Sequence, residues 1–446
     1  MQAIRKKASR IERWACFCLV QLAFVWQVQA QAGLPEPGLT ERIRQGWSYQ
    51  LRVVGFGMHT EAAQGPRNPD NRIMALPQHT AALQVRPDFR LEVDRLALAL
   101  QPRAEWYWES WEQEPEASEA QRSEAFIHQW LVRLRCTDRL YASYGREILQ
   151  WGPASLTSLS NPFFEDNGKR NPKLELPAMD FARLVWVPSL TWSVSLIANT
   201  DQGRQDIPNA AFEERYALKT DYTGSADYGS LIFTYRDAAL DQLSGFYGRT
   251  LSDAVLAYAE GVVQRAPPGR YPQGTNDPLG YVMTAKDSSD DTWIGSVLGG
   301  VAYTLESGPT LTLEYLYYGP GYDDAEAQDF FDLVARAAAQ LRTGTALTPL
   351  VYQALGTTAD PGLRFLRRNY LMLQGAQNDI ADLLDLTVRW TRNLDDGSQR
   401  ATLIAEWAIG DHLQLFAIGN WDHGGARSEF GSIIERQIML GLTIIY

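Results

Sequence analysis

The chain has 446 residues, 41 basic and 53 acidic, for a formal net charge of -12. That balance excludes a general nucleic-acid binder, which needs a basic face. A mean hydropathy of -0.28 with 21% charged residues excludes a multi-helix membrane protein, yet 45% of residues are hydrophobic and 16 Phe, 14 Trp and 20 Tyr demand a large apolar surface.

The first segment reads as an address. Arg5, Lys6, Lys7, Arg10 and Arg13 precede an apolar run from Trp14 to Trp26, and small residues follow at Val28-Gln29-Ala30 and Ala30-Gln31-Ala32. This is the grammar of a secretory signal peptide over residues 1–30. Its removal takes away five basic residues and one acidic residue, which moves the formal charge from -12 to -16. Cys16 and Cys18 leave with it, so Cys136 has no intramolecular partner and a disulfide scaffold is excluded.

From there to residue 446 the apolar period is 2, not 3.6. Leu96, Leu98, Leu100, Ala104, Trp106 and Trp108 oppose Gln101, Arg103, Glu105, Tyr107 and Glu109. Further along, Leu311, Leu313, Tyr315 and Tyr317 oppose Thr312 and Glu314, while Leu384, Leu386, Val388 and Trp390 oppose Asp385, Thr387, Arg389 and Thr391. In chain order the alternation gives strands near 46–60, 79–93, 95–110, 124–136, 139–150, 179–188, 190–199, 212–223, 227–236, 243–251, 253–264, 292–305, 309–319, 365–376, 383–394, 399–409, 412–422 and 432–446. Such segments have the length a tilted strand needs to cross a bilayer. Tight turns such as Asp94-Arg95, Thr137-Asp138 and Gly410-Asp411 alternate with long connections, chiefly 61–78, 151–178, 200–211, 266–290 and 319–362. Short turns on one side and long loops on the other are the asymmetry of a transmembrane barrel.

The expected fold is therefore all-β: a transmembrane antiparallel up-and-down β-barrel of about 18 strands over residues 31–446, with 16 as the alternative. An even count places both termini on the side of the short turns. The long loops about 151–178 and 319–362 are candidates for a constriction and for a cap. Phe330, Phe331, Val334, Ala337, Ala338 and Leu341 recur at helical spacing within the second, which allows a helix that caps the mouth, plugs the lumen or packs on the outer loops.

The C-terminus is the sharpest signal. Ile438, Leu440, Leu442, Ile444 and Tyr446 share one face and an aromatic residue ends the chain. This resembles the terminal-strand signal by which outer-membrane barrels are recognised for assembly. Tyr144-Gly-Arg-Glu-Ile-Leu-Gln-Trp-Gly152 followed by Ser160-Asn-Pro-Phe163 is similar to the strand-to-loop segment of porin-like barrels. Asn393 to Ser398, Asp411 to Leu415 and Glu429-Phe430 resemble the last hairpins of substrate-specific porins and polysaccharide-export barrels. The resemblance implies residence in the outer membrane of a Gram-negative cell, contact with outer-membrane lipid and lipopolysaccharide, delivery by the barrel-assembly machinery, and a monomer or trimer. It implies no cofactor and no catalysis, and it names no solute.

In a barrel the polar phase lines the lumen. Strand by strand this gives Arg103, Glu105, Tyr107, Arg133, Arg135, Arg146, Arg183, Lys219, Arg236, Arg249, Glu314, Arg389 and Glu406 as inward residues, either a selectivity lining or a wall of mutually paired charges. Enzyme signatures are weak. Asp422-His423 resembles an acid–histidine pair, but adjacent residues on a strand point to opposite faces, and there is no G-x-S-x-G and no Cys/His cluster of zinc spacing. The reading is a channel for facilitated diffusion of small hydrophilic solutes; a polysaccharide-export barrel and a barrel-borne hydrolase are the alternatives.

Overall fold

A computed structural model describes residues 38–112, 118–205, 212–237, 239–265, 269–286, 292–343 and 348–446. The leader expected over 1–30 lies outside the described residues. Eighteen strands form one sheet: β1 Trp47–Ala62, β2 His79–Val93, β3 Leu96–Trp111, β4 Ser118–Arg135, β5 Leu140–Glu147, β6 Met179–Trp186, β7 Trp192–Asp201, β8 Arg215–Thr223, β9 Asp227–Arg236, β10 Ala239–Ser252, β11 Val255–Arg265, β14 Trp293–Thr304, β15 Thr310–Tyr317, β16 Asn369–Ile380, β17 Leu384–Asn393, β18 Gln399–Ile409, β19 Leu413–His423 and β20 Ile434–Ile445. Each pairs antiparallel with its chain neighbour, and β20 pairs antiparallel with β1 from Arg52↔Ile445 to Glu61↔Arg436, which closes the barrel. Closure leaves no unpaired edge, the condition for a sheet to stand in lipid.

The turns at 94–95, 136–139, 224–226, 253–254 and 410–412 fall at one end, beside residue 38 and Tyr446, while β9 and β10 pair directly up to Arg236↔Ala239 at the other end. At the turn end α1 (Leu39–Gly46) packs beside β2, and Arg42 Nη1 meets both carboxylate oxygens of Asp94 at 2.9 Å. Asp94 sits in the two-residue turn with φ 53°, the left-handed geometry that a tight hairpin demands and Asp tolerates. His412 stacks on Tyr446 at the same end.

Alternation decides which side chains meet lipid. Leu184, Leu196, Val297, Leu313 and Leu440 are exposed on the outer wall, unfavourable in water but matched to hydrocarbon. Trp47, Trp106, Trp186, Trp192, Trp407 and Tyr446 are exposed towards strand ends, where interfacial aromatics sit. Ile438, Leu440, Leu442, Ile444 and Tyr446 all share the outer phase, because Met439 between them is buried in the lumen at 1% exposure.

At the opposite end, connections carry their own structure. A hairpin of β12 (Arg270–Gly274) and β13 (Tyr281–Ala285) joins β11 to β14. Between β15 and β16 lie α2 (Asp324–Thr343) and α3 (Thr348–Ala359). Phe330, Phe331, Val334, Ala337 and Ala338 of α2 are buried, as helical spacing requires. The two helices pack on each other and on the β12–β13 hairpin. Arg67, in the β1–β2 loop, donates to the carbonyls of Thr358 and Ala359, while Arg427 in the β19–β20 loop pairs with Asp332 at 2.8 Å. The helical insertion thus belongs to the loop layer, of the three placements open to it.

Candidate functional site

The site is the lumen, and the connection between β5 and β6 (residues 148–178) builds it. This segment turns inward. Asn161 folds it locally: its Oδ1 accepts the amides of Phe163 and Phe164 at 3.1 Å, and its Nδ2 donates to the Leu149 carbonyl at 2.7 Å. Phe163 and Phe164 then pack with Phe181, Ile197, Ala217 and Ile232 on the inner wall. Full burial of each such side chain is worth about 1.5–3 kcal/mol, so an outward loop would forfeit several of these contributions.

Wall side chains fix the rest of the path. Glu260 of β11 accepts the Ser160 amide and hydroxyl, both at 2.7 Å. Its carboxylate stands against Gly152, where φ is 91° and a Cβ would lie 2.8 Å from an oxygen, so that position requires glycine. Glu314 of β15 accepts the amides of Ser155 at 2.6 Å and Leu156 at 2.8 Å. The segment then crosses the lumen. Lys173 pairs with Glu406 of β18 at 2.8 Å and donates to Gln414 of β19 at 2.9 Å. Glu175 closes the traverse on Arg103 of β3, with bonds of 2.7 and 2.8 Å. Burial by itself raises the Glu175 carboxyl, but Arg103, Arg86 and His128 hold it below the usual carboxylate range. One loop is therefore anchored on β3, β11, β15, β18 and β19, and it narrows the lumen.

These anchors redefine the expected lining. Arg103 and Glu406 are latches for the loop, and Glu314 is a clamp buried to 0% exposure. Glu105 and Tyr107 lie inward against Gln84, whose amide reaches them at 3.2 and 2.6 Å. Arg183 holds Glu147 at 3.0 Å, Arg236 holds Asp241 at 2.7 Å and Glu213 at 2.9 Å, Lys219 pairs with Asp221, and Arg389 donates to Gln374 at 2.9 Å. Arg133 and Arg135 share the inward phase, opposite the exposed Val132 and Leu134. Among the described residues these two make no ion pair.

Two expectations fail. Arg146 and Arg249 do not face the lumen. Arg146 stands opposite Trp130 in register and in phase with the exposed Tyr144; its cross-strand partner Asp180 meets it at 2.6 Å. Arg249 shares the phase of the exposed Tyr247 and Leu251 and stands opposite Asp227. Both lie near strand ends, where an outward charge reaches the interface instead of hydrocarbon. Sequence reading also missed Glu260. A lone carboxylate at mid-strand between in-phase Tyr258 and Val262 was the available signal. The Asp422-His423 pair dissolves: Asp422 is taken by the Arg400 guanidinium, and His423 is exposed on the other face.

The closed 18-stranded antiparallel sheet with an apolar outer wall defines a transmembrane β-barrel with the fold of outer-membrane porins. It is similar to the outer membrane protein OprD from Pseudomonas aeruginosa, with a TM-score of 0.52 at 9% identity over 90% of this chain and 94% of that one. OccAB1 of Acinetobacter baumannii gives 0.51 at 11% over 90% and 96%, and OccK11 (OpdR) of P. aeruginosa gives 0.50 at 12% over 90% and 97%. No protein-family model matches the chain, and no curated protein matches its sequence. The likeness is one of fold.

Proposed function

We propose that this barrel is an outer-membrane channel through which small hydrophilic solutes diffuse down their gradients. One observation carries the reading: a loop folded into the lumen and fastened to charged wall residues on both sides. A merely structural barrel has no need of such a traverse, whereas a channel uses a narrowing to set which solutes pass. The turn end, where residue 38 and Tyr446 lie, then faces the periplasm, and the loop layer faces outward. Arg133 and Arg135 near the turn end supply uncompensated positive charge to the passage, and the wall pairs elsewhere keep it hydrated without a large net field.

The test is reconstitution of the refolded full chain into planar bilayers. Stepwise conductance that falls with solute size supports the channel. Absence of conductance from barrels shown to be folded by heat-modifiable migration refutes it, and passage of long polysaccharide chains in place of small solutes would assign an export barrel instead.

A further inference from the structure

On the outer wall, at the loop end of β17–β20, polar side chains gather in the outward phase. Val388, Trp390 and Arg392 of β17 point out, while Arg389, Thr391 and Asn393 between them are buried. In register, Arg392 stands opposite Gln399 of β18, and Gln399 stands opposite His423 of β19. One row nearer the turn end, Trp390, Ala401, Trp421 and Arg436 follow one another across β17–β20. Neighbouring strands lie about 4.8 Å apart, so Arg392, His423 and Arg436 span about 15 Å of wall. The Trp390 indole donates to Gln399 Oε1 at 2.9 Å, and the Trp421 ring lies against Gly419, where a side chain would collide with it. Both indoles thus sit on the wall as interfacial aromatics do. Arg392 and His423, two residues further along their strands, stand about 7 Å beyond them, at headgroup level.

The charges there are not balanced by the protein. Arg392 and His423 are exposed, and neither side chain makes a hydrogen bond or ion pair among the described residues. The carboxylates nearest in sequence are held elsewhere. Asp395 accepts the amides of Arg368 and Asn369 at 2.8 and 2.9 Å, and Asp396 accepts those of Ser398 and Glu429 at 2.8 and 2.9 Å. Asp422 is taken by the Arg400 guanidinium on the inner face. Arg436 meets Glu61 at 2.7 Å in a bridge 45% exposed on both sides. A chain with a net charge of -12 therefore leaves a cation open at the edge of the hydrocarbon. Guanidinium and imidazole N–H groups are donors matched to phosphate oxygens. Exposed Leu373 and Val388 continue the surface toward the membrane interior, so an occupant with both an anionic head and apolar chains uses all of it. We propose that this strip of β17–β20 binds the phosphate-bearing headgroup of a lipid in the loop-side leaflet, with the acyl chains along Leu373 and Val388. The site lies outside the lumen and does not depend on conduction.

Native mass spectrometry of the folded full chain in detergent reads the retained lipid. The probes are diphosphoryl lipid A and the same lipid stripped of its phosphates, with inorganic phosphate as competitor. The expected result is a saturable one-to-one adduct with the diphosphoryl lipid, at least about tenfold tighter than with the stripped form, that inorganic phosphate at the same concentration does not displace. Arg392→Gln weakens it about tenfold, the loss of one charge-assisted hydrogen bond; His423→Ala serves if that variant does not fold. Arg249→Gln, which alters an outward arginine near the turn end, binds like wild type. Equal retention of the two lipids, displacement by inorganic phosphate, folded Arg392→Gln and His423→Ala variants that bind like wild type, or an equal loss in Arg249→Gln overturns the proposal. Binding is read without conductance, so failure of the channel reading leaves the site standing.

Discussion

Replacing Glu314 by Gln tests whether the constriction is held by its clamp. The Glu314 carboxylate is fully buried and accepts the Ser155 and Leu156 amides at 2.6 and 2.8 Å together with the Tyr258 hydroxyl at 2.5 Å. In glutamine one oxygen becomes an NH2 group, which meets a donor where an acceptor is needed. A hydrogen bond to a charged group contributes about 1.5–3 kcal/mol. At about 2 kcal/mol, the segment around Ser155 detaches from the wall roughly 30-fold more often. The loop stays tethered at Glu260, Glu406 and Arg103, so the lumen does not empty. Single-channel recordings of Glu314→Gln should therefore show larger current fluctuations and a modest rise in mean conductance. Ion selectivity should barely move, because the carboxylate lies behind the loop and outside the path. Adding Glu260→Gln, which removes the anchor on Ser160, should enlarge the step. Unchanged noise and conductance in both variants would refute the clamp, and a shift in selectivity without a change in noise would mean that Glu314 acts as an open lining charge.

Other perturbations reach different parts of the molecule. Arg133→Gln with Arg135→Gln removes two inward guanidiniums that make no ion pair among the described residues, so the reversal potential should move toward cation selectivity, more at low salt than at high, because screening shortens the reach of the patch; a shift toward anions would contradict the assignment. Leu440→Arg places a charge at the middle of the outward face of β20, where it costs about 2–4 kcal/mol; the yield of heat-modifiable barrel should drop, and wild-type yield would mean that this face does not meet lipid. Glu429, in the β19–β20 loop, is pushed up to about 7 by burial, while its bond from Tyr370 pulls the other way. A carboxyl raised in the folded state is held with its proton, so its contribution is complete below about pH 4.5 and is lost as pH rises through about 7. Protection factors for amide exchange in residues 424–433, corrected for the intrinsic pH dependence of exchange, should fall across that window, and Glu429→Gln should remove the fall; protection that rises instead reverses the sign and refutes it.

Period-2 alternation, turn length and the terminal aromatic strand determined the fold from the sequence, since a strand that meets lipid on one face and water on the other has no freedom in its pattern. That is why 79–93, 227–236 and 399–409 coincide with observed strands. Phase failed only at Arg146 and Arg249, near strand ends, where the hydrocarbon no longer forbids an outward charge and Asp180 and Asp227 stand across from them. The constriction was decided by tertiary structure. Ser160, Lys173 and Glu175 are ordinary loop residues until Glu260, Glu406 and Arg103, between 70 and 235 residues away in sequence, come round the closed barrel to meet them. Local pattern carries no information about partners across a lumen, because only closure of β20 on β1 sets which walls face each other.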